Sequence, residues 1–174
     1  MVPANVRIDV ERGGRHSERA GRGEPWRRVE AAVVDILGQE HISLTVRDIE
    51  KTAKWYEQVL GLTRQSSNTD EVQGWKKVRM THLPSGMRLN FTEHFANSGG
   101  AFDERRTGLD HLAFRVASRQ EMEAWVAHFD RLGVEHSPIK EGRNGYILTF
   151  RDPDNIQLEL SAVASRERWK SSTA

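Results

Sequence analysis

Two histidines and one glutamate carry the chemistry open to this chain. His41 opens the stretch HISLTVRD, His111 opens HLAFRVAS 70 residues later, and Glu159 sits within IQLEL. Each histidine leads an apolar alternation, Ile42, Leu44 and Val46 in one and Leu112, Phe114 and Val116 in the other, which reads as a half-buried strand. Parity then puts His41, Ser43 and Thr45, and likewise His111, Ala113 and Arg115, on the opposite face. By the same rule Ile156, Leu158 and Leu160 turn to the core, and Gln157, Glu159 and Ser161 turn away from it. Two imidazoles and a carboxylate form the 2-His-1-carboxylate set, which leaves coordination positions open for substrate or water. Those donors suit a divalent metal such as Fe2+, Mn2+, Ni2+, Co2+ or Zn2+, whereas calcium wants more oxygens. Alone, each residue has a plainer reading, as a hydrogen-bonded strand histidine or a solvated edge carboxylate. Their recurrence on one face favours the metal.

The elements around them repeat as well. Asp48 and Ser118, each seven residues after its histidine, are helix N-caps, and Ser118 with Glu121 reads as a capping box. Helical spacing follows, through Ile49, Ala53, Tyr56 and Val59–Leu60 in one copy and Met122, Trp125–Val126, Phe129 and Leu132 in the other. Each stripe is a core face, and each helix ends on a glycine, Gly61 or Gly133. HLPSGMRLNF (82–91) then aligns with RDPDNIQLEL (151–160), both centred on turn chemistry between β-type runs. This alignment sets Asn90 against Glu159. The fold class expected is α+β, two tandem βαβββ modules forming a curved mixed sheet around a cleft, at 39–95 and 107–162. A Gly-rich linker (96–106) joins them. A mostly disordered arm (1–38), with a short helix or strand at Val29 to Leu37, and a tail (163–174) with Trp169 as a docking residue complete the division. A single module leaves one sheet face bare, so two must associate, within the chain or across a homodimer.

Composition removes several alternatives. Lys and Arg total 26 against 25 Asp and Glu, so there is no field to gather nucleic acid or an acidic membrane. The basic stretch Arg12 to Arg28 is interrupted by Glu11, Glu18 and Glu24 and lacks aromatic interleaving for base stacking. No cysteine is present, which excludes disulfides, thiolate nucleophiles and sulfur-ligated zinc. Neither a membrane-length apolar run nor a signal-peptide pattern occurs, and the expected location is cytoplasmic.

HISLTVRDIEKTAKWYEQVLGL, GLDHLAFRV and FRDPDNIQLEL together resemble the vicinal oxygen chelate superfamily, over roughly residues 39 to 162. The superfamily includes glyoxalases, extradiol dioxygenases, methylmalonyl-CoA epimerase, fosfomycin-resistance transferases and bleomycin-resistance proteins. The resemblance implies paired βαβββ modules with a divalent metal in the cleft, and its ligand positions fall on His41, Asn90, His111 and Glu159. Glyoxalase I and the epimerase carry a metal-binding side chain at all four positions, so Asn90 departs from them. A His, His, Glu set is closer to the dioxygenases and the fosfomycin-resistance enzymes. Bleomycin-resistance proteins usually lack the set, so its retention counts against pure sequestration.

Three readings of function follow. The first is a metalloenzyme that chelates a small oxygen-rich substrate, anionic or catecholic, and stabilises the charge that forms, by dioxygenase, lyase, isomerase or transferase chemistry. The second is a non-catalytic protein that binds an antibiotic, and the third a partner-binding module that uses the basic arm. Arg88 and Arg115 on the cleft face are candidate contacts for an anion, or else ion-pair partners of Glu93, Asp110 or another chain. Asn90 is a weak oxygen ligand, a spacer or, as preferred here, a donor that supports the ligands. Candidate proton-transfer groups are Glu159 itself, His94 at the cleft rim, or else a solvated strand end, and Tyr146 after the lid-like KEGRNG, or else a packing residue. His82, near a turn, is a surface residue.

Overall fold

The computed structural model describes residues 36–143 and 145–163. The readings made for the arm before residue 36 and for Trp169 lie outside them. His41 leads straight into β1 (Ile42–Thr45), followed by α1 (Ile49–Leu60), β2 (Thr63–Asp70), β3 (Trp75–His82) and β4 (Met87–His94). The series recurs as β5 (Leu112–Arg115), α2 (Arg119–Leu132), β6 (Lys140–Gly142), β7 (Gly145–Arg151) and β8 (Gln157–Val163). Two sheets of four strands result, ordered β1-β4-β3-β2 and β5-β8-β7-β6. In each, the first strand runs parallel to the last and the remaining pairs are antiparallel. This is the βαβββ pattern twice over.

The caps act locally. Asp48 accepts from the Lys51 N–H at 3.0 Å, and Gly61 ends α1 at φ 68°, where a Cβ would be strained. At α2 the Ser118 hydroxyl accepts from the Glu121 N–H at 3.2 Å. The Glu121 carboxylate reaches the Ala117 N–H instead of that of Ser118. The box is thus displaced by one residue, and it still satisfies two donors.

KEGRNG reads as a lid-like segment in sequence, and its described residues lie in a hairpin. Its first residues pair as β6 with the start of β7, Lys140 against Ile147 and Gly142 against Gly145.

What joins the modules is a set of contacts between α1 and the β7–β8 turn. Asp154 accepts from the Arg47 backbone N–H (3.0 Å), the Arg47 Nε–H (2.8 Å) and the Thr52 hydroxyl (2.9 Å). Tyr56 donates its hydroxyl to Asp152 at 3.2 Å, while the Asp154 and Ile156 N–H groups hold the other Asp152 oxygen. Burial pushes the Asp152 carboxyl up to about 6 against these donors, and drives the Tyr56 hydroxyl well above its ordinary value. Phe150 of β7 stacks on Trp55 of α1 (centroids 6.3 Å apart) and packs on Phe129 of α2 (4.6 Å). The His128 ring bonds the Val59 carbonyl. The linker straps the same turn, through Phe102 N–H to the Asp154 carbonyl and through Arg151 to Glu104.

The helix-bearing faces of both sheets therefore share one core, which holds Leu44, Phe91, Met122, Leu148 and Leu158 among others. Each large apolar side chain buried there contributes about 1.5–3 kcal/mol. The opposite face of each sheet lies outside this core. That is the face bearing the histidines.

Candidate metal centre

On the second module, β5 and β8 run side by side, with Ala113 opposite Glu159 and Leu112 opposite Leu158. His111 immediately precedes β5, and its Nε2 lies 4.0 Å from Glu159 Oε2. That is too long for a hydrogen bond and within the span that one cation, about 2.1 Å from each atom, can bridge. The Glu159 side chain is only 15% exposed and accepts no hydrogen bond from the described residues. An ionised carboxylate left that way is costly unless a cation completes it. The donor chemistry therefore fits a divalent ion.

His111 Nδ1 lies 2.6 Å from Asp110 Oδ2. A carboxylate can only accept, so the proton sits on Nδ1 and the Nε2 lone pair faces Glu159. The first module repeats the device. His41 Nδ1 bonds the Glu40 carboxylate, whose other oxygen pairs with Arg88. The hydrogen bond from His41 and then that from Arg88 hold the Glu40 carboxyl below its usual range. From sequence Glu40 was not singled out, and Asp110 only as an ion-pair partner of the arginines. The signal was an acidic residue immediately before each histidine, at the repeat's own offset.

Within one chain the structure brings His111 and Glu159 together but does not add His41. Among the described residues no group of three His, Asp or Glu side chains is placed to hold a metal. His41 lies instead on a cavity of about 490 Å³ on the first sheet, with Glu40, Lys77, Arg79, Arg88 and Asn90 in its wall. The cause is the shared core. It joins the modules through their helix-bearing faces, so the two histidine faces point outward.

The remaining candidates divide. Asn90 faces Ser43 across β1 and β4, the register position Glu159 holds against Ala113, and it is 7% exposed. Arg88 is engaged by Glu40, which was not among the partners considered for it. Arg115 is exposed on the His111 face and makes no ion pair with the described residues. His94 is exposed at the end of β4, opposite Trp75. Tyr146 falls elsewhere. It shares parity with the buried Leu148 and Phe150, packs against the core, and lies under Arg119 with 5.6 Å from guanidinium to ring. It is on the helix side, away from Glu159. His82, whose Nδ1 bonds the Ser85 hydroxyl at 2.7 Å, serves the turn.

A family model described as the Glyoxalase/Bleomycin resistance protein/Dioxygenase superfamily matches residues 38–160. The chain is 30% identical over 140 residues to the fosfomycin resistance protein FosX of Listeria innocua, over 78% of this chain and 96% of that one. Its fold is similar to that of a glyoxylase/bleomycin resistance protein/dioxygenase domain from Frankia sp., with TM-score 0.69 and 32% identity, over 75% of this chain and 100% of that one. It is also similar to a FosX variant from Listeria monocytogenes complexed with Mn(II) and 1S,2S-dihydroxypropylphosphonic acid. There the TM-score is 0.60 and the identity 26%, over 79% of this chain and 99% of the other.

Proposed function

The chain belongs to the Glyoxalase/Bleomycin resistance protein/Dioxygenase superfamily, the vicinal oxygen chelate superfamily, and on that premise we propose that it is a divalent-metal-dependent enzyme acting on a small, oxygen-rich anion. The ligands are His111 and Glu159 of one chain and His41 of a second, whose modules meet by their outward faces. One observation carries this reading. His111 and Glu159 are held 4.0 Å apart, with Asp110 fixing the imidazole so that Nε2 faces the carboxylate. The Mn(II) complex of a relative supports a manganese-class ion.

A metal bound there supplies a Lewis acid for negative charge developing on a chelated oxygen. The protein's own contribution is positioning. Asp110 and Glu40 orient the two rings, Arg115 and Arg88 attract the anion, and the Asn90 carboxamide can hydrogen-bond a substrate oxygen. His94, at the rim, is the remaining candidate for proton transfer.

The experiment is anaerobic reconstitution of metal-free protein with Mn(II) or Fe(II), then assay against fosfomycin, a catechol and an α-ketoaldehyde–thiol adduct. Metal-dependent turnover of one of them is expected. Tight binding without turnover would replace the enzyme reading with sequestration, and protein that takes up no transition metal would end it.

A further inference from the structure

The cavity beside His41 is more cationic than its neighbours need. β3 carries Lys77 and Arg79 on its outward face, two residues apart and so about 7 Å from each other. Arg88 joins them from β4, on the row that pairs Thr81 with Arg88. All three line the same cavity, with Glu40 as the one carboxylate in its wall. Three cations against one carboxylate leave two positive charges unmatched.

Arg88 is taken by Glu40. Lys77 has only the Trp75 ring, 4.9 Å away. Arg79 pairs with no described carboxylate. The next residue, Lys76, shows the contrast: it points to the helix side and pairs with Glu93 at 3.2 Å. Like charges on neighbouring sites of one sheet face repel, so such a pair is retained at a cost unless an anion joins it.

A second observation falls on the same row. Ser66 of β2 lies opposite Arg79, which lies opposite Asn90 of β4. The Ser66 hydroxyl oxygen is the only buried side-chain polar atom among the described residues that lacks a hydrogen-bond partner. The Asn90 carboxamide, 7% exposed, also makes no hydrogen bond with the described residues. A guanidinium and an amide thus stand side by side in the cavity wall, beside an ammonium, and the Ser66 hydroxyl is buried behind them, outside that wall. The second module spaces its cations more widely, with Lys140 of β6 and Arg115 of β5 on the outward face and Ile147 and Ser161 between them. Its β7 shows Ile147 and Thr149 on the outward face.

We propose that Arg79, with Lys77 and the Asn90 carboxamide, is the subsite that takes a doubly charged phosphate- or phosphonate-type group of the substrate. The group's two charges balance the cavity, and its several oxygens match donors arriving from two strands, which a carboxylate with two oxygens does not. The assignment rests on the proposed use of the outward faces as the substrate surface. It adds a site for a doubly charged group on the first module to the Arg115 guanidinium of the second, where His111 and Glu159 hold the metal.

The test is calorimetric titration of metal-free protein with inorganic phosphate and with phenylphosphonate, acetate serving as the singly charged comparison. Arg79→Gln and Lys77→Gln are compared with Lys54→Gln on the exposed side of α1, and Mn(II) affinity is measured on the same samples. Saturable binding of both dianions is expected, with affinity falling about tenfold or more in Arg79→Gln. Lys54→Gln should be unchanged, and Mn(II) affinity unchanged in every variant. Equal phosphate affinity in Arg79→Gln and Lys54→Gln, or no saturable binding by the parent chain, overturns the assignment. Discriminated phosphate binding in a chain that takes no Mn(II) would uphold the subsite and remove only the metal reading.

Discussion

Glu159→Gln loses divalent-metal affinity by a hundredfold or more and keeps its fold, on an expectation scaled from the roughly 10- to 100-fold effects of residues that merely support ligands. The amide has the carboxylate's shape and touches the same neighbours, Ala113 and Thr149 on the flanking strands, so no core contact is lost. What disappears is a negative charge that is 15% exposed and receives no hydrogen bond from the described residues. Such a charge costs free energy in the metal-free protein. The variant's metal-free form should therefore be as stable as the parent, or slightly more so, within about 0.5–1 kcal/mol. Activity falls with the metal. Thermal melting with and without Mn(II) reads both quantities: the parent's melting temperature rises with the ion and the variant's does not. A structural carboxylate would behave in reverse, with a destabilised variant and an unchanged metal response.

Asp154→Ala is expected to have the largest effect on folding, about 3–5 kcal/mol, the range for breaking a buried charged network. Asp154 is 5% exposed and ties Arg47 and Thr52 of the first module to the second module's turn. Alanine leaves the buried Thr52 hydroxyl without its partner, a cost of about 1–3 kcal/mol, and also frees the half-buried Arg47 backbone N–H and the exposed Arg47 guanidinium. Denaturant unfolding gives the number. A loss under 1 kcal/mol would mean that the latch does not join the modules.

Its neighbour Asp152 has the opposite sign. A carboxyl pushed up to about 6 in the folded chain, against 3.8 ordinarily, binds protons more tightly folded than unfolded. Its ionisation therefore removes stability as pH rises through about 6. Asp152→Asn should flatten that part of the pH dependence, because an amide has no proton to lose.

The repeat was legible because its signals are local. Alternation, N-caps and the proline-bearing turns each depend on a few consecutive residues, and they place β1, α1, β4 and their counterparts. The joining of the modules was not legible, since it rests on Asp152 and Asp154 being buried against Tyr56 and Thr52, about a hundred residues away in sequence. In the chain they look like ordinary turn residues. Of the two readings open for Tyr146, proton donor or packing residue, the structure shows packing, and counting back from Phe150 and Leu148 gives the same core face. Lys77 and Arg79 passed unnoticed because β3 alternates cations and apolar residues on both faces near its start. Only the cavity wall they share with Arg88 and Asn90 brings them together.

The proposal that the metal centre forms between two chains is tested most directly by complementation. His41→Ala chains and Glu159→Ala chains, each unable to complete a centre, are unfolded and refolded together, and Mn(II) uptake is measured. If each centre takes His41 from one chain and His111 with Glu159 from the other, a mixed pair holds one intact centre and one doubly defective centre. Random pairing then restores about a quarter of the parent's metal sites. If a single chain supplied all three ligands, every centre in the mixture would lack one, and uptake would stay at the level of the separate variants.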